Sequence, residues 1–381
     1  MKRKFSLFLS ALFFALILAA GCGGASTRAE TGNFERKMMP EEQAEAILSH
    51  MTLSEKIGQM LMIGVHGTEM DDDSRFMLSE YDVGGVILFD RNLETAEGVR
   101  RFTKELQEAR HGEPPLLIAI DEEGGPVARM THILPPPSAQ QEIGASGDPA
   151  LARQSAKDIA KELRSYGFNL DFAPVADVGD SPRNFSDDPE KTAAFVREAV
   201  MGYGEGNILC TLKHFPGLGK GEADTHLGTV VVNADRETLE AEDIVPFRAM
   251  IAKNGESGGI DPNRFFVMVS HITYTALDEN LPASLSPAIM TDLLRGELGW
   301  QGVIVTDDLE MGAADVFPFR ELGVRAVEGG ADLVLVCHDY GHQQDVFNGL
   351  LLAVQNGKIP ESRIDDSVRR ILRAKFALEE K

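Results

Sequence analysis

Eight short apolar runs, separated by longer stretches, constrain the fold of this chain more than any other feature. The runs span residues 59–65, 83–89, 114–121, 168–175, 208–214, 265–271, 302–308 and 331–337. Such runs suit strands buried on both faces, which are typical of parallel sheets. Amphipathic helical segments lie between them, for example at 95–110 and 149–167. The pattern predicts a closed (β/α)₈ TIM-type barrel. A doubly wound sheet is the alternative, but no G-x-G-x-x-G follows the first run.

Polar residues gather at the carboxyl ends of these predicted strands. They are Asp121, Asp171, Lys213, His214, His271, Asp307 and Asp308. On a barrel these ends share one face, where active sites are built, although any one residue could instead cap a helix. We expect Asp307 to point into the barrel mouth as a metal ligand, a nucleophile or a cap. Asp308 should face the other way, as a cap or a buried hydrogen-bonding partner, because side chains alternate along a strand.

The segment LKHFPGLGKGEADTHLG at 212–228 follows the fifth run and concentrates ionisable side chains and glycines. The glycines permit a loop with unusual backbone angles. Asp224 and His226 are two residues apart, so their side chains share one side of an extended backbone. A carboxylate beside an imidazole orients the ring and favours its protonated form, as a general acid/base requires. An Asp-x-His triplet alone has no specificity, but its place beside a barrel mouth gives it weight.

The first 22 residues differ from the rest. Three basic residues within the first four are followed by an apolar run from Phe5 to Ala20, which is typical of a secretory signal peptide. The ending LAAGC resembles a bacterial lipoprotein cleavage site, so we expect Cys22 to carry a lipid. An ordinary cleaved signal peptide or a single membrane anchor is the alternative. Residues 23–39 read as a flexible tether, and 40–381 as the (β/α)₈ barrel domain.

The net charge narrows the possible partners, and the positions of two cysteines predict their redox state. The net charge of -23 produces a surface that repels nucleic acid and anionic lipid headgroups, so we expect no nucleic-acid partner. Cys210 and Cys337 sit in apolar runs and read as buried free thiols, despite export to an oxidising compartment.

Six longer motifs occur in order between roughly residues 50 and 340. They are MTLSEKIGQM (51–60), GGVILFDRN (84–92), IDEEGGPVARM (120–130), FNLDFAPVADVG (168–179), KHFPGLGKGEADTH (213–226) and PASLSPAIMTDLLRGELGWQGVIVTDDLEMGAA (282–314). Together they resemble glycoside hydrolase family three, in its bacterial β-N-acetylglucosaminidase branch and single-domain lipoprotein form.

The resemblance implies roles for individual residues. Asp307 matches the catalytic nucleophile of the family, and His226 with Asp224 matches its loop acid/base pair. The residues that match positions holding the non-reducing sugar are Asp121, Arg129, Arg183, Lys213 and His214. The resemblance implies neither a metal ion nor a cofactor. Some family members take their acid/base from a second sandwich domain. This chain ends soon after the eighth run, which favours a donor on the loop.

Three positions depart from the family pattern. Leu218 stands where a histidine is usual, Pro126 where an arginine is usual, and Glu122 where a glutamine is usual. None of these departures removes a residue assigned above. Leu218 could alter the leaving-group subsite, which leaves the natural substrate open.

We therefore expect a monomeric, retaining exo-β-N-acetylglucosaminidase that acts on peptidoglycan fragments or related glycans. It would be lipid-anchored in the bacterial cell envelope, on the periplasmic side if two membranes are present. One alternative is a metal-dependent barrel hydrolase that uses His214, His226, His271 and Asp307, although no tight ligand spacing is present. Another is a sugar-binding lipoprotein without catalysis, against which stand the retained Asp307, Asp224 and His226.

Overall fold

A closed barrel of parallel strands forms the centre of the structure. This computed structural model describes residues 38–110, 114–218, 230–251, 260–311 and 317–378. Within those ranges eight strands form the barrel: β1 Leu61–Gly64, β2 Gly85–Ile87, β3 Leu117–Ile120, β4 Leu170–Asp171, β5 Leu209–Phe215, β6 Phe265–Val269, β7 Ile304–Asp308 and β8 Leu333–Val336. Each strand lies beside its neighbours in the chain, and β1 closes the ring against β8 through Leu61–Val334 and Ile63–Val336. Because the first and last strands pair, the fold is the predicted (β/α)₈ barrel and not an open sheet.

Helices surround the barrel. Their bounds are α1 Pro40–Leu48, α2 Leu53–Gln59, α3 Asp72–Tyr81, α4 Ala96–Ala109, α5 Gln140–Ala145, α6 Pro149–Ser165, α7 Pro189–Gly206, α8 Arg236–Ala241, α9 Val245–Met250, a π-helix at Ala288–Glu297, α10 Phe319–Gly329, α11 Tyr340–Gln355 and α12 Glu361–Ala377. Short 3₁₀ turns occupy Asp90–Asn92, Pro262–Arg264 and Ala283–Leu285. Two antiparallel segments, Glu122–Gly124 and Val127–Ala128, form a hairpin directly after β3. Val231–Val232 pairs in parallel with Thr273–Tyr274.

Local sequence explains where the predicted helices α4 and α6 begin and which of their faces are buried. In α4, the Thr95 side chain accepts a hydrogen bond from the Gly98 amide, and Val99, Phe102 and Leu106 turn to the core. In α6, Asp148 caps the first turn, and small residues make up much of the buried stripe: Ala152, Ala156, Ala160 and Leu163. Helix α7 packs closely against this stripe. A Cβ added at Gly202 of α7 would lie only 2.2 Å from the Arg153 carbonyl oxygen of α6, so the contact requires a glycine.

The structure confirms most of the predicted elements. Each of the eight apolar runs matches one barrel strand, although β5 extends one residue past its run to Phe215, and the segments 95–110 and 149–167 contain α4 and α6. The fourth run at 168–175 contributes only Leu170–Asp171 to the regular ladder, and Val175 bridges to Lys213 separately. Cys210 and Cys337 are buried and free, as predicted.

Residues Met38–Lys381 form one compact unit. The predicted signal peptide, Cys22 and residues 23–37 of the predicted tether lie outside the described residues. Within the described ranges, none of the helices combines the length and apolar character that crossing a membrane requires.

Candidate active site

A cleft opens at the carboxyl ends of the barrel strands and has a volume of about 270 Å³. Apolar side chains from the barrel, including Ile87, Met268 and Leu335, contribute to its lining. Charged and polar side chains complete the lining: Asp121, Glu123, Arg129, Arg183, Lys213, His214, Asp307, Asp308, Glu310 and His338. All five predicted sugar-holding residues and the predicted nucleophile therefore lie around one cleft.

A network of ion pairs holds one wall of the cleft. The Lys213 Nζ lies 2.8 Å from Asp121 Oδ1 and 2.6 Å from Glu123 Oε1. Arg183 donates from Nε and Nη2 to the two Glu123 carboxylate oxygens, each at 2.8 Å. Arg129 Nη2 approaches Asp121 Oδ2 more loosely, at 3.6 Å. Because bidentate and charge-assisted bonds are directional, this network fixes the positions of its donors and acceptors.

The network also fixes the charges of its members. Burial alone would raise the pKa of Asp121, but the charges of Lys213 and Arg129 outweigh it and the pKa is lowered. Burial acts in the same way on Glu123, where Lys213 and Arg183 lower the pKa. Burial alone would lower the pKa of Lys213, but the carboxylates of Asp121 and Glu123 raise it. At neutral pH the network therefore presents ionised carboxylates and an ammonium group together, and such an array can bind the hydroxyl groups of a neutral polar ligand.

His214 is oriented by Asp177 from the loop after β4. The His214 Nδ1 lies 2.8 Å from Asp177 Oδ2, and the backbone amides of His214 and Leu218 donate to Asp177 Oδ1 at 3.0 and 2.8 Å. Burial would raise the pKa of Asp177, but His214 and these amides lower it. Since an ionised Asp177 accepts from Nδ1–H, Nε2 of His214 stays available to a ligand. The peptide bonds Lys213–His214 and Phe215–Pro216 are both cis.

Asp307 and Asp308 end β7 and have different surroundings. Asp307 is partly buried, lines the cleft, and accepts the Asp308 amide at Oδ1 over 2.9 Å. Asp308 accepts the amides of Glu310 and Cys337 at Oδ1, over 3.1 and 3.2 Å. Its Oδ2 lies 3.2 Å from His338 Nε2. Asp308 is thus the buried hydrogen-bonding partner that the alternation along the strand predicts, although it also reaches the cleft.

Two of the polar residues at strand ends do not line the cleft. Asp171 is fully buried, accepts the Glu122 amide at 2.9 Å and the Tyr203 hydroxyl at 3.0 Å, and burial raises its pKa to about 8. His271 is also fully buried, with Nδ1 2.6 Å from Ser284 Oγ and Nε2 2.8 Å from the Asp308 carbonyl oxygen. Both residues support the barrel wall behind the cleft, so position at a strand end was not sufficient to predict a place in the site.

Sequence reasoning missed Glu123, Asp177 and His338. Glu123 follows Asp121 by two residues, and this spacing in extended backbone could have revealed it. Asp177 carries no local signal, because its contact with His214 joins the loop after β4 to β5. His338 lies two residues after β8, stacks on Phe89 at 5.4 Å between ring centroids, and has a pKa raised by its hydrogen bond to Asp308.

The predicted acid/base pair, Asp224 and His226, lies outside the described residues. Among the residues that are described, no three His, Cys, Asp or Glu side chains lie close enough together to hold a metal ion.

A (β/α)₈ barrel places its active site at the carboxyl ends of the strands, and carboxylates in such a pocket are the groups that glycoside hydrolases use. Residues 52–374 match the model of the family described as "Glycosyl hydrolase family 3 N terminal domain". The chain belongs to this family and is a glycoside hydrolase.

Named relatives agree with this membership. A "Beta-hexosaminidase" from Stenotrophomonas maltophilia (strain R551-3) is 39% identical over 294 residues, which are 73% of this chain and 83% of that protein. A glycoside hydrolase family 3 β-N-acetylglucosaminidase structure from Paenibacillus sp. str. FPU-7 has a TM-score of 0.79 and 39% identity, and the match covers 86% of this chain. The chain spans 63% of that structure, which is less than two thirds. A β-N-acetylhexosaminidase structure from Beutenbergia cavernae has a TM-score of 0.76 and 28% identity, with 86% and 99% of the two chains covered. The resemblance to the β-N-acetylglucosaminidase branch is confirmed.

Proposed function

We propose that this glycoside hydrolase is a retaining exo-β-N-acetylglucosaminidase that releases terminal β-linked N-acetylglucosamine. The support is the meeting in one cleft of Asp307, at the end of β7, with the network of Lys213, Asp121 and Glu123. The names of the relatives add the preference for a 2-acetamido sugar.

In this proposal the ion-pair network binds the terminal sugar. The carboxylates of Asp121 and Glu123 accept from sugar hydroxyls, while Lys213 and the guanidinium groups of Arg129 and Arg183 donate to them. His214, oriented by Asp177, adds a contact through Nε2. A neutral sugar suits this wall, because the cations there are already paired with carboxylates.

Asp307 is the proposed nucleophile. Its carboxylate attacks the anomeric carbon, and the bond to the leaving oxygen breaks while His226, oriented by Asp224, gives that oxygen a proton. His226 then takes a proton from water, which attacks the glycosyl-aspartate ester and releases the sugar with retained configuration. The substrate we propose is a peptidoglycan fragment or a related amino-sugar glycan. We further propose that the enzyme is exported and held at a bacterial membrane through Cys22.

Nitrophenyl β-glycosides that differ only at position 2 of the sugar test the proposed activity. We expect the 2-acetamido substrate to be hydrolysed with a kcat/KM at least on the order of 10²-fold above that of the 2-hydroxy substrate, because a site built for one polar substituent discriminates strongly against its absence. Equal rates on both sugars would show that the chain is a family 3 glycosidase of different specificity.

A further inference from the structure

Three consecutive acidic residues follow β3, and the middle one faces away from the cleft. Asp121 and Glu123 belong to the ion-pair network that lines the cleft, whereas Glu122 lines a separate cavity of about 250 Å³. Met130, Leu134 and Pro135 line that cavity from the chain after the hairpin, and α6 contributes Asp158, Ile159 and Glu162. Glu122 is 4% exposed, so its carboxyl group is nearly removed from bulk water.

The Glu122 side chain links the first strand of the hairpin to the backbone that follows the second strand. Its Oε2 accepts the backbone amides of Arg129 and Met130, at 2.8 and 3.1 Å. Its own amide donates to Asp171 Oδ1 at 2.9 Å, which attaches this end of the hairpin to β4. The turn between the two sides passes through Gly124 and Gly125, both with positive φ. Arg129 leaves this backbone with its side chain directed into the cleft, toward Asp121.

We propose that Glu122 is a positioning residue whose ionised carboxylate fixes the backbone of Arg129, and thereby the guanidinium group that contacts the sugar. Protonation of Glu122 weakens its hydrogen bonds to the Arg129 and Met130 amides and so loosens this backbone. This inference rests on the proposed function, because the sugar contact of Arg129 belongs to it. The bonds of an ionised carboxylate to amides are roughly twice as strong as those of a neutral acceptor, so the two protonation states hold the hairpin differently.

The surroundings of Glu122 place its titration in the physiological range. Burial raises the pKa to about 7, against the lowering effects of the Met130 and Arg129 amides and of the Arg129 charge. Asp90 raises the pKa further. Asp171 faces it from β4, and Asp158 and Glu162 line the same cavity from α6. The carboxylate form therefore predominates above about pH 7 and the neutral form below it.

Two measurements on the purified full-length protein test this inference between about pH 5.5 and about pH 8.5. The first is the dissociation constant of N-acetylglucosamine, by calorimetry. The second is hydrogen exchange of the peptide that contains the Arg129 and Met130 amides, corrected for the intrinsic effect of pH. Glu122→Gln keeps the shape and an acceptor oxygen but cannot ionise. Glu162→Gln is the matched control, because Glu162 lines the same cavity and is exposed.

In the wild type we expect the dissociation constant to rise about five- to tenfold as the pH falls through about 7, and protection of the two amides to fall with it. Glu122→Gln, which introduces the residue usual in the family, should bind without this step at any pH, and Glu162→Gln should behave as the wild type. A step that persists in Glu122→Gln, or a wild type with no step in either measurement, would overturn the inference. If no form binds the sugar, the proposed specificity fails, and the exchange measurement still decides the role of Glu122. If Glu122→Gln does not fold, the wild-type exchange profile decides it.

Discussion

Asp307 and Asp308 illustrate how neighbouring carboxylates acquire different tasks from their surroundings. Asp308 has both oxygens engaged, by the amides of Glu310 and Cys337 and by His338. Asp307 accepts the amide of Asp308 and presents the rest of its carboxylate to the cleft. A nucleophile must approach the anomeric carbon, so the less restrained carboxylate suits that task, and the restrained one holds the end of β7 against β8.

The first prediction is that Asp307 becomes glycosylated. A 2-acetamido sugar cannot carry fluorine at position 2, so the probe is a 2-fluoro glycoside with a good leaving group. Fluorine slows both steps by destabilising their oxocarbenium-like transition states, and the leaving group rescues only the first. Intact mass should show one added glycosyl unit, and peptide mapping should find it within 302–311.

Two variants serve as controls for this trapping experiment. Asp307→Ala should form no adduct and have almost no turnover. Asp308→Asn should still form one, because Asp308 holds backbone and not sugar. An adduct on Asp308 or Asp121 would reassign the nucleophile, and inversion at the anomeric centre, seen by NMR in the first product, would refute the double displacement.

Some residues of the site could be predicted from the sequence, and others depend on contacts between distant parts of the chain. Asp121, Lys213, His214 and Asp307 could be predicted, because each ends an apolar run and parallel strands bring such ends together. Asp171 shows the limit of that rule, since at β4 the last side chain turns away from the cleft into a buried contact with Tyr203. Asp177 and His338 lie in loops, and their contacts with His214 of β5 and Asp308 of β7 form only in three dimensions, so no spacing in the sequence predicts them.

At the scale of elements, the short apolar runs identified the strands. A barrel strand is buried on both faces, so its sequence is continuously apolar and does not alternate between apolar and polar residues. The bounds were less predictable. The run at 168–175 extends past the two residues of β4 because Phe172, Ala173 and Val175 are buried outside the regular ladder. Burial therefore determines the apolar run, and hydrogen bonding determines the shorter strand within it.

The second prediction concerns Asp224 and His226, which follow β5 in the chain and lie outside the described residues. If His226 protonates the leaving oxygen, His226→Ala should slow a substrate with a poor leaving group by on the order of 10²–10⁴-fold. An activated nitrophenyl substrate should lose much less in its first step, because its bond breaks with little proton transfer. Asp224→Asn should act in the same direction. Equal losses on good and poor leaving groups would mean that His226 only shapes the segment.

The third prediction concerns the elements that meet around Asp332, just before β8. Asp332 is fully buried and accepts the Ile304 amide of β7 at 2.9 Å. It also pairs with arginines from the π-helix and α12: Arg295, Arg363 and Arg370. Burial would raise its pKa, but these arginines lower it. Asp332→Asn should reduce the free energy of unfolding by about 3 kcal/mol, because it leaves three partly buried arginines without their counter-charge.

Urea unfolding at neutral pH measures this loss, with Asp345→Asn as the control. Asp345 pairs with Arg320 at 3.2 Å, and both side chains are about half exposed, so its loss should change stability by only about 0–1 kcal/mol. Since the pKa of Asp332 is lowered in the folded state, its contribution is present above the unfolded pKa and disappears as the pH falls through the folded pKa. Comparable small effects for the two variants would show that the arginines find other partners.

At the scale of the whole molecule, the net charge of -23 and the cationic wall of the cleft have to be reconciled. Lys213 and Arg183 share Glu123, while Lys213 and Arg129 share Asp121, so the positive charges there are largely compensated locally. The cleft therefore does not attract polyanions in spite of its lysine and arginines. The same excess of negative charge repels anionic lipid headgroups, so the surface of the domain offers no electrostatic reason to stay at a membrane.

The last prediction rests on the proposed lipidation of Cys22: retention of the protein at a membrane should depend on that lipid. The wild type should sediment with membranes, resist extraction by salt because its anchor is not electrostatic, and begin at a modified Cys22. Cys22→Ser removes the acceptor, so the chain should either appear in the soluble fraction or keep its leader. Mass analysis of the N-terminal peptide separates these two results, since an unprocessed chain could still be held by the apolar run from Phe5 to Ala20. A wild type that is wholly soluble and begins at another residue would instead show that the leader is an ordinary signal peptide.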